Sequence, residues 1–131
     1  MFVGLQELNL VKDAKSKARS DCPIATGLGM IGDRWSLLIV RDILCGKSKF
    51  KDFLDSPEGI PTNILTSRLK DMVDSGLVEK IAYQDRPVRY QYVLTKKGRG
   101  LTPILQNISL WANIWEPQTW TIPEFFLKLK P

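Results

Sequence analysis

The hydrophobic and polar positions of residues 59–79 form the clearest pattern in the chain and predict an amphipathic helix over residues 62–75. Wound as a helix, this stretch gathers apolar side chains on one side: Leu65, Leu69, Met72 and Val73. The other side carries mostly short hydrogen-bonding side chains: Asn63, Thr66, Ser67, Lys70 and Asp74. Because Asn can pair with adenine and Ser or Thr can reach several base edges, this side is typical of a surface that reads DNA. A polar exterior without a ligand is the alternative.

Three further helices are predicted upstream. The first begins at Asp21-Cys22-Pro23, because proline suits the first helical position and the residue before it can act as a cap. The second spans Arg34–Cys45 with Asp33 as its cap. Apolar residues surround nearly its whole circumference, so we expect it to be the buried central element. The third is short and capped by Ser48, and with the helix at 62–75 it forms a helix-turn-helix arrangement.

A change of period from about 3.6 residues to 2 predicts two strands next, Leu77–Tyr83 and Tyr90–Thr95. Residues 84–89 lie between them as a basic tip, and a proline and the length of this loop predict that it projects instead of turning tightly. Arg86 and Arg89 are placed there to enter a minor groove or to meet phosphates. An ordinary solvated hairpin end is the alternative.

A long final helix is expected within Lys96–Trp115, where Pro103 marks either its first turn or a kink. Its apolar face is wider than a compact core needs, so we expect a homodimer interface to cover it together with the first helix. Residues 116–131 are too apolar for a free tail. They are expected to pack on the dimer or at the mouth of a pocket.

These elements predict one domain of mainly α structure with a small β-hairpin wing, an α+β winged helix-turn-helix. Its parts are an N-terminal arm at 1–21, the helix-turn-helix and wing at 22–95, a dimerisation helix at 96–115 and an apolar tail at 116–131. A single domain suits a chain of 131 residues. No apolar run approaches the roughly 18 residues of a membrane helix, and the first residues do not read as a signal peptide. A cytoplasmic protein without membrane contact is expected.

The net charge of +5 favours an anionic partner. The bases are concentrated near the predicted wing and the start of the third helix: Arg86, Arg89, Lys96, Lys97 and Arg99 in the first group, and Lys47, Lys49 and Lys51 in the second. Double-stranded DNA is the partner that this distribution and the helix at 62–75 favour together.

The residue types argue against an enzyme. The chain contains no histidine, which removes imidazole bases, histidine-dependent nucleophiles and histidine metal ligands. Its two cysteines, Cys22 and Cys45, cannot close a structural zinc site alone. The glycines of residues 27–32 follow no strand and open no βαβ unit, so they do not form a phosphate-binding loop. No catalytic residue, metal or cofactor is expected.

The segments CPIATGLGMIGDRWSLLIVRDILCG, FKDF, GIPTNILTSRLKDMVDSGLVEK and PVRYQYVLTKKGRGLTPIL together resemble the HxlR-type transcriptional regulators, winged helix-turn-helix proteins related to the MarR group. The match covers residues 22–115. The resemblance implies a homodimeric DNA-binding repressor or activator, with the recognition helix in the major groove and the wing beside it. The sequence departs from the family pattern at Pro61-Thr62, where Ser-Pro is more frequent, at Cys45, and in the longer apolar tail.

The resemblance implies DNA-contacting positions that are carried over residue by residue. On the recognition helix they are Thr62, Asn63, Thr66, Ser67 and Lys70, and in the wing Arg89. The basic segments add three further candidates, which are Ser48, Lys49 and Arg86.

Cys22 matches an N-terminal cysteine with which several family members are thought to sense oxidants or electrophiles. A helix N-terminus lowers a thiol pKa, and the thiolate is the reactive form. The alternative is an inert cysteine that packs as a small hydrophobe. Cys45, at the end of a helix expected to be buried, is predicted to be inert.

Three functions stay open, of which sequence-specific binding of duplex DNA by a homodimer is favoured. The second is a winged-helix protein-interaction module whose basic face binds an acidic partner. The third, compatible with the first, is a regulator that responds to a small molecule in a pocket lined by Trp111, Trp115 and Trp120.

Overall fold

The computed structural model describes residues 20–131, so most of the predicted arm at 1–21 lies outside the described residues. Within this range seven helices and two strands follow in the order α1 (Pro23–Ile31), α2 (Ser36–Leu44), α3 (Phe50–Leu54), α4 (Thr62–Asp74), β1 (Val78–Asp85), β2 (Val88–Leu94), α5 (Lys96–Arg99), α6 (Thr102–Trp115) and α7 (Glu124–Leu127). The helix pair α3–α4 with the hairpin β1–β2 behind it is the predicted winged helix-turn-helix. None of these helices has the length and hydropathy needed to cross a membrane.

The start of α1 is confirmed at Pro23, directly after Cys22. The start of α2 lies at Ser36, later than predicted. The carboxylate of Asp33 accepts hydrogen bonds from the backbone N–H groups of Trp35 and Ser36, each at 2.9 Å. Asp33 is therefore the cap of α2 as predicted, although the helix begins further along the chain.

The prediction that α2 is apolar and buried all round is wrong. Ile39 and Val40 are buried, but Leu37 and Leu38 are only half-buried. The helix also buries a carboxylate, because Asp42 is 6% exposed. A buried carboxylate needs partners, and residues beyond α2 supply them.

The predicted cap of α3 by Ser48 is also wrong. The capping bonds run in the other direction, since the carboxylate of Asp52 accepts the backbone N–H groups of Lys49 at 3.0 Å and of Ser48 at 3.3 Å. The first N–H groups of a helix lack partners within it, so a carboxylate in the first turn can satisfy them. These bonds, with that from Lys49 the stronger, lower the pKa of Asp52.

The hairpin is tighter than predicted. β1 and β2 pair in antiparallel fashion up to Asp85 opposite Val88. The projecting loop predicted over residues 84–89 is therefore wrong, because only two residues connect the strands. The β-branched and aromatic residues of both strands favour extended pairing, and a register shift at Tyr83 accommodates the additional residue of β1.

The single helix predicted within Lys96–Trp115 is in fact two helices. The short α5 is capped by Thr95, whose hydroxyl oxygen accepts the N–H of Gly98 at 3.0 Å. α6 begins at Thr102 with Pro103 in its first turn, where the missing N–H removes no helical hydrogen bond. Pro103 thus marks the start of a helix, not a kink.

The hydrophobic core joins α2, α3, α4, α6 and α7 with the start of β1. Its buried residues are Ile39, Val40, Phe53, Ile60, Leu65, Leu69, Met72, Leu77, Val78, Leu101, Leu105 and Phe126. Phe126 belongs to the predicted tail and is 4% exposed. Phe126 therefore anchors residues 116–131 in the core of their own chain, while the predicted contact of this segment with the dimer or a pocket mouth stays a prediction.

Candidate nucleic-acid interface

The outer face of α4 carries the five recognition-helix side chains that the sequence predicts to contact DNA. The inner face is fixed in the core by Leu65, Leu69 and Met72, which are buried. The five outer residues are exposed to solvent and share one surface: Thr62, Asn63, Thr66, Ser67 and Lys70. Amphipathic spacing alone therefore places the predicted contacts together.

Local hydrogen bonds leave much of this face free for a ligand. Thr66 donates its hydroxyl to the carbonyl oxygen of Thr62 at 3.0 Å. Lys70 Nζ lies 3.0 Å from a carboxylate oxygen of Asp74, and this bond raises the pKa of Lys70. Such an exposed pair contributes little to stability, so a phosphate can compete with Asp74 for the ammonium group.

Arg68 has a structural position at the side of α4. Its guanidinium lies 2.5 Å from Asp71 and 3.8 Å from Asp33, the residue that caps α2. Burial alone would raise the pKa of Asp33, but hydrogen bonds from the Ser36 hydroxyl and from the backbone of Trp35 and Ser36 outweigh it, and the pKa is lowered. Arg68 thus orients α4 against the start of α2.

The turn before α4 is held by a cluster of polar side chains that the sequence reading missed. Arg41 contacts both carboxylate oxygens of Glu58 at 2.8 Å and also contacts Asp42. Ser56 donates to the buried carboxylate of Asp42, and Lys47 donates to the Ser56 hydroxyl at 3.1 Å. The bond from Arg41 lowers the pKa of Glu58. An Arg-Asp pair inside a strongly apolar helix was the available signal for this cluster.

Ser48 and Lys49 connect the start of α3 to the wing. The carbonyl oxygen of Ser48 accepts the backbone N–H of Tyr92 at 2.8 Å. The ammonium group of Lys49 lies 4.7 Å from the ring centroid of Tyr83. The backbone of Ser48 is therefore used by the fold, whereas the charge of Lys49 stays on the surface beside the hairpin.

The wing presents further bases. Arg86 and Arg89 are exposed at the hairpin tip and on β2. An open cleft of about 560 Å³ lies between α3 and the hairpin, lined by the bases Lys49, Lys51, Lys80 and Arg89 and by Phe50, Tyr83, Gln84, Val88, Tyr90 and Tyr92. No acidic side chain lines this cleft, so an anion can approach it without repulsion.

The two cysteines differ in their surroundings. Cys22 is half-buried directly before α1, where its backbone N–H contacts the Ser20 hydroxyl at 3.2 Å. Cys45 ends α2 and is exposed, contrary to the expectation of a buried position. Partial desolvation nonetheless raises the pKa of Cys45, which favours its unreactive thiol form.

Of the three tryptophans proposed as a pocket, Trp111 alone lines the groove that residues 20–131 form along α6. A groove of about 550 Å³ runs along α6 and is lined by Pro103, Ile104, Asn107, Ile108 and Trp111. Trp115 and Trp120 do not line this groove, and both are strongly exposed. The groove is thus an open, mainly apolar depression on the surface of α6 and not a pocket enclosed by the three tryptophans.

Comparison with known proteins adds an independent line of argument. The HxlR-like helix-turn-helix family model matches residues 30–119. The HTH-type transcriptional regulator YvaP of Bacillus subtilis is 35% identical over 95 residues, which cover 72% of this chain and 88% of YvaP.

Two solved structures share the fold. The reduced form of the transcriptional regulator YodB from B. subtilis superposes with a TM-score of 0.63 at 30% identity, covering 75% of this chain and 98% of YodB. The reduced form of the redox regulator HypR has a TM-score of 0.66 at 27% identity, covering 76% of this chain and all (100%) of the HypR chain.

Proposed function

Because the chain belongs to the HxlR-like helix-turn-helix family of transcriptional regulators, we propose that it acts as a homodimer that binds a specific duplex DNA sequence. The observation that carries the proposal is the outer face of α4. It keeps five hydrogen-bonding side chains exposed on a helix whose inner face is fixed in the core. Within residues 20–131, no hydrogen bond occupies the side chains of Asn63 and Ser67.

In this proposal α4 lies in the major groove. Asn63 and Ser67 meet base edges, the methyl group of Thr66 meets a thymine methyl, and Lys70 exchanges Asp74 for a phosphate. Arg86 and Arg89 reach the minor groove or the backbone from the wing, and Lys49 adds a phosphate contact. Raising the salt concentration should weaken binding. For each phosphate that the protein neutralises, a tenfold increase in salt should lower the affinity by about 0.9 decades.

The dimer is proposed to form through α1 and α6. Neither helix contains a charged residue, although a quarter (25%) of the whole chain is charged. Both helices expose large apolar side chains, which are Ile24, Leu28, Ile104, Ile108, Leu110, Trp111, Ile114 and Trp115. A second copy fits this face because two copies with a net charge of +5 can meet there without opposing like charges. An acidic partner would find no cation on it.

A response of Cys22 to oxidants is proposed as a second property of the same dimer. Cys22 lies at the edge of α1, so a modified side chain there changes how α1 packs against a second copy. HypR is described as a redox regulator, and a diamide-treated form of YodB has been solved. Cys22→Ser should abolish any loss of DNA affinity on oxidation, whereas Cys45→Ser should leave it unchanged. An equal response in Cys22→Ser and the unmodified protein would contradict this role.

The test of DNA binding is an anisotropy titration of the duplex upstream of the chain's own gene, with a scrambled duplex as competitor at near-physiological salt. A preference of a few decades for the native duplex, reduced about tenfold in Asn63→Ala, is the expected result. Gln118→Ala is the matched control, because Gln118 is an exposed amide in the loop after α6, outside α4, the wing and the two helices of the proposed dimer. Equal weak binding of both duplexes, together with tight binding of an acidic protein surface, would favour the interaction-module alternative.

A further inference from the structure

The segment of residues 116–131 is held against α6 by two side-chain amides. Asn113 donates to the carbonyl oxygen of Trp120 at 3.0 Å and accepts the backbone N–H of Ile122 at 2.9 Å. The amide nitrogen of Gln106 lies 2.9–3.2 Å from three carbonyl oxygens of the segment, those of Phe126, Leu127 and Leu129. Gln106 and Asn113 are seven residues apart, almost two helical turns, so they share one side of α6.

This attachment leaves two large aromatic side chains outside. Phe126 is buried in the core, while the neighbouring Phe125 is 58% exposed and Trp120 is 74% exposed. Because the backbone on both sides is fixed by Asn113, Gln106 and the Phe126 anchor, the two exposed rings stand at defined places beside α6. The segment therefore holds two apolar rings in solvent, next to exposed charged side chains such as Glu124 and Lys128.

The segment that carries the two rings is bonded to α6 beside the exposed apolar side chains of that helix. On the helix circumference, Leu110 and Ile114 follow next to the side that carries Gln106 and Asn113. Both are exposed, and beyond them lies the stripe of Trp111 and Trp115. The exposed apolar surface therefore runs without a charged residue of α6 from the segment across the helix.

We propose that Trp120 and Phe125 extend the self-association surface of α6 and pack against a second copy of this chain. This inference rests on the proposed dimer and adds a contact that belongs to this chain. The family match ends at residue 119, so both aromatic residues lie beyond the part shared with the family. Counted over two copies, a Trp and a Phe at this exposure supply roughly 500 Å² toward the 1,200–2,000 Å² of a stable interface.

The test is the dissociation constant of the dimer, measured by sedimentation velocity for the full chain. The double variant Trp120→Ser/Phe125→Ser should weaken dimerisation at least tenfold. Asn113→Ala, which releases the segment without removing either ring, should weaken it in the same direction. Lys130→Ala, an exposed change in the same segment, is the control and should leave the constant unchanged. Near-ultraviolet and far-ultraviolet circular dichroism of each variant verifies the fold.

The outcomes separate this inference from the dimer itself. A wild-type dimer with a weakened double variant supports it. A double variant that dimerises as tightly as the wild type overturns it and leaves the proposed function intact. A wild-type chain that stays monomeric at concentrations near 100 µM, far above the range of a working regulator, would overturn the proposed dimer and this inference together.

Discussion

The outer face of α4 and the exposed apolar surface of α1 and α6 are both open to solvent, yet their chemistry is opposite. The first exposes hydroxyl, amide and ammonium groups, which water solvates well. The second exposes isoleucine, leucine and tryptophan side chains and no charge. Exposing apolar area costs about 25 cal/mol per Å², so the second face is the one whose exposure needs an explanation. This difference in chemistry is the one expected if the two faces bind the two proposed partners, a polyanion and a second copy.

The largest effect is expected from a charge placed on the exposed apolar face of α6, where the dimer is proposed to form. Ile108→Lys at the proposed two-fold interface would oppose like charges in a desolvated environment, which costs about 3 kcal/mol or more. The dimer should weaken by at least about a hundredfold in sedimentation velocity, and DNA affinity should fall with it. Lys130→Ala, an exposed change outside α1 and α6, serves as the control. An Ile108→Lys protein that remains a tight dimer would show that α6 is not the interface.

Disrupting the cluster of polar side chains that holds the turn before α4 should have the next largest effect. Arg41→Ala leaves the buried carboxylate of Asp42 with the Ser56 hydroxyl alone and frees Glu58 from its partner. The free energy of unfolding should fall by about 2 kcal/mol, measured by urea titration at one fixed protein concentration. Lys128→Ala, which removes only an exposed ion pair with Glu124, should change it little. Equal effects of the two changes would contradict the assigned role of Arg41.

Asn63→Ala tests whether the polar outer face of α4 reads bases. Loss of a bidentate contact to adenine should weaken binding to the preferred duplex by about 1–2 kcal/mol while leaving non-specific binding unchanged. Thermal unfolding should be unaffected because Asn63 is exposed. Competition titrations with specific and scrambled duplexes measure both affinities. A uniform loss on every duplex would mean that Asn63 contacts only the backbone.

The smallest expected effect concerns pH. The pKa of Glu58 is lowered from its ordinary value of 4.5 by the hydrogen bond with Arg41, so the unfolded chain binds protons more readily than the folded chain. The stabilisation is complete above about pH 4.5 and is lost as pH falls through the folded-state pKa. Between about pH 5 and pH 3, Glu58→Gln should therefore lose less unfolding free energy than the wild type. Identical slopes would show that the pair does not contribute.

Elements with a strong local pattern were predictable from the sequence. The periodicity of Leu65, Leu69 and Met72 was sufficient to predict α4 and the side of the helix on which its polar residues lie. Pro23 was sufficient to predict where α1 begins. The resemblance to the HxlR-type regulators was confirmed by the family match over residues 30–119. For the two helices the information lay within one short segment, whereas the resemblance rested on several motifs along the chain.

Features that depend on contacts between distant segments were not predictable. Arg41 and Glu58 are seventeen residues apart in the sequence, so no local sequence pattern predicts their pairing. The hairpin turn was predicted too long because the pairing of Asp85 with Val88 depends on a register shift further down the strands. The position of Phe126 in the core depends on Gln106 and Asn113, whose amides find their partners only after the chain has turned back.

The most direct test of the central claim is selection of bound sequences from a random duplex pool, followed by determination of stoichiometry on the enriched duplex. A two-fold dimer with α4 in the major groove predicts inverted half-sites, spaced by about 10 base pairs or a multiple of that, and two protein copies per duplex. With Asn63→Ala, the enriched sequences should lose their preference for adenine at the contacted position of each half-site. A pool without a shared sequence, or one copy bound per duplex, would contradict the claim that this chain is a dimeric, sequence-specific DNA-binding regulator.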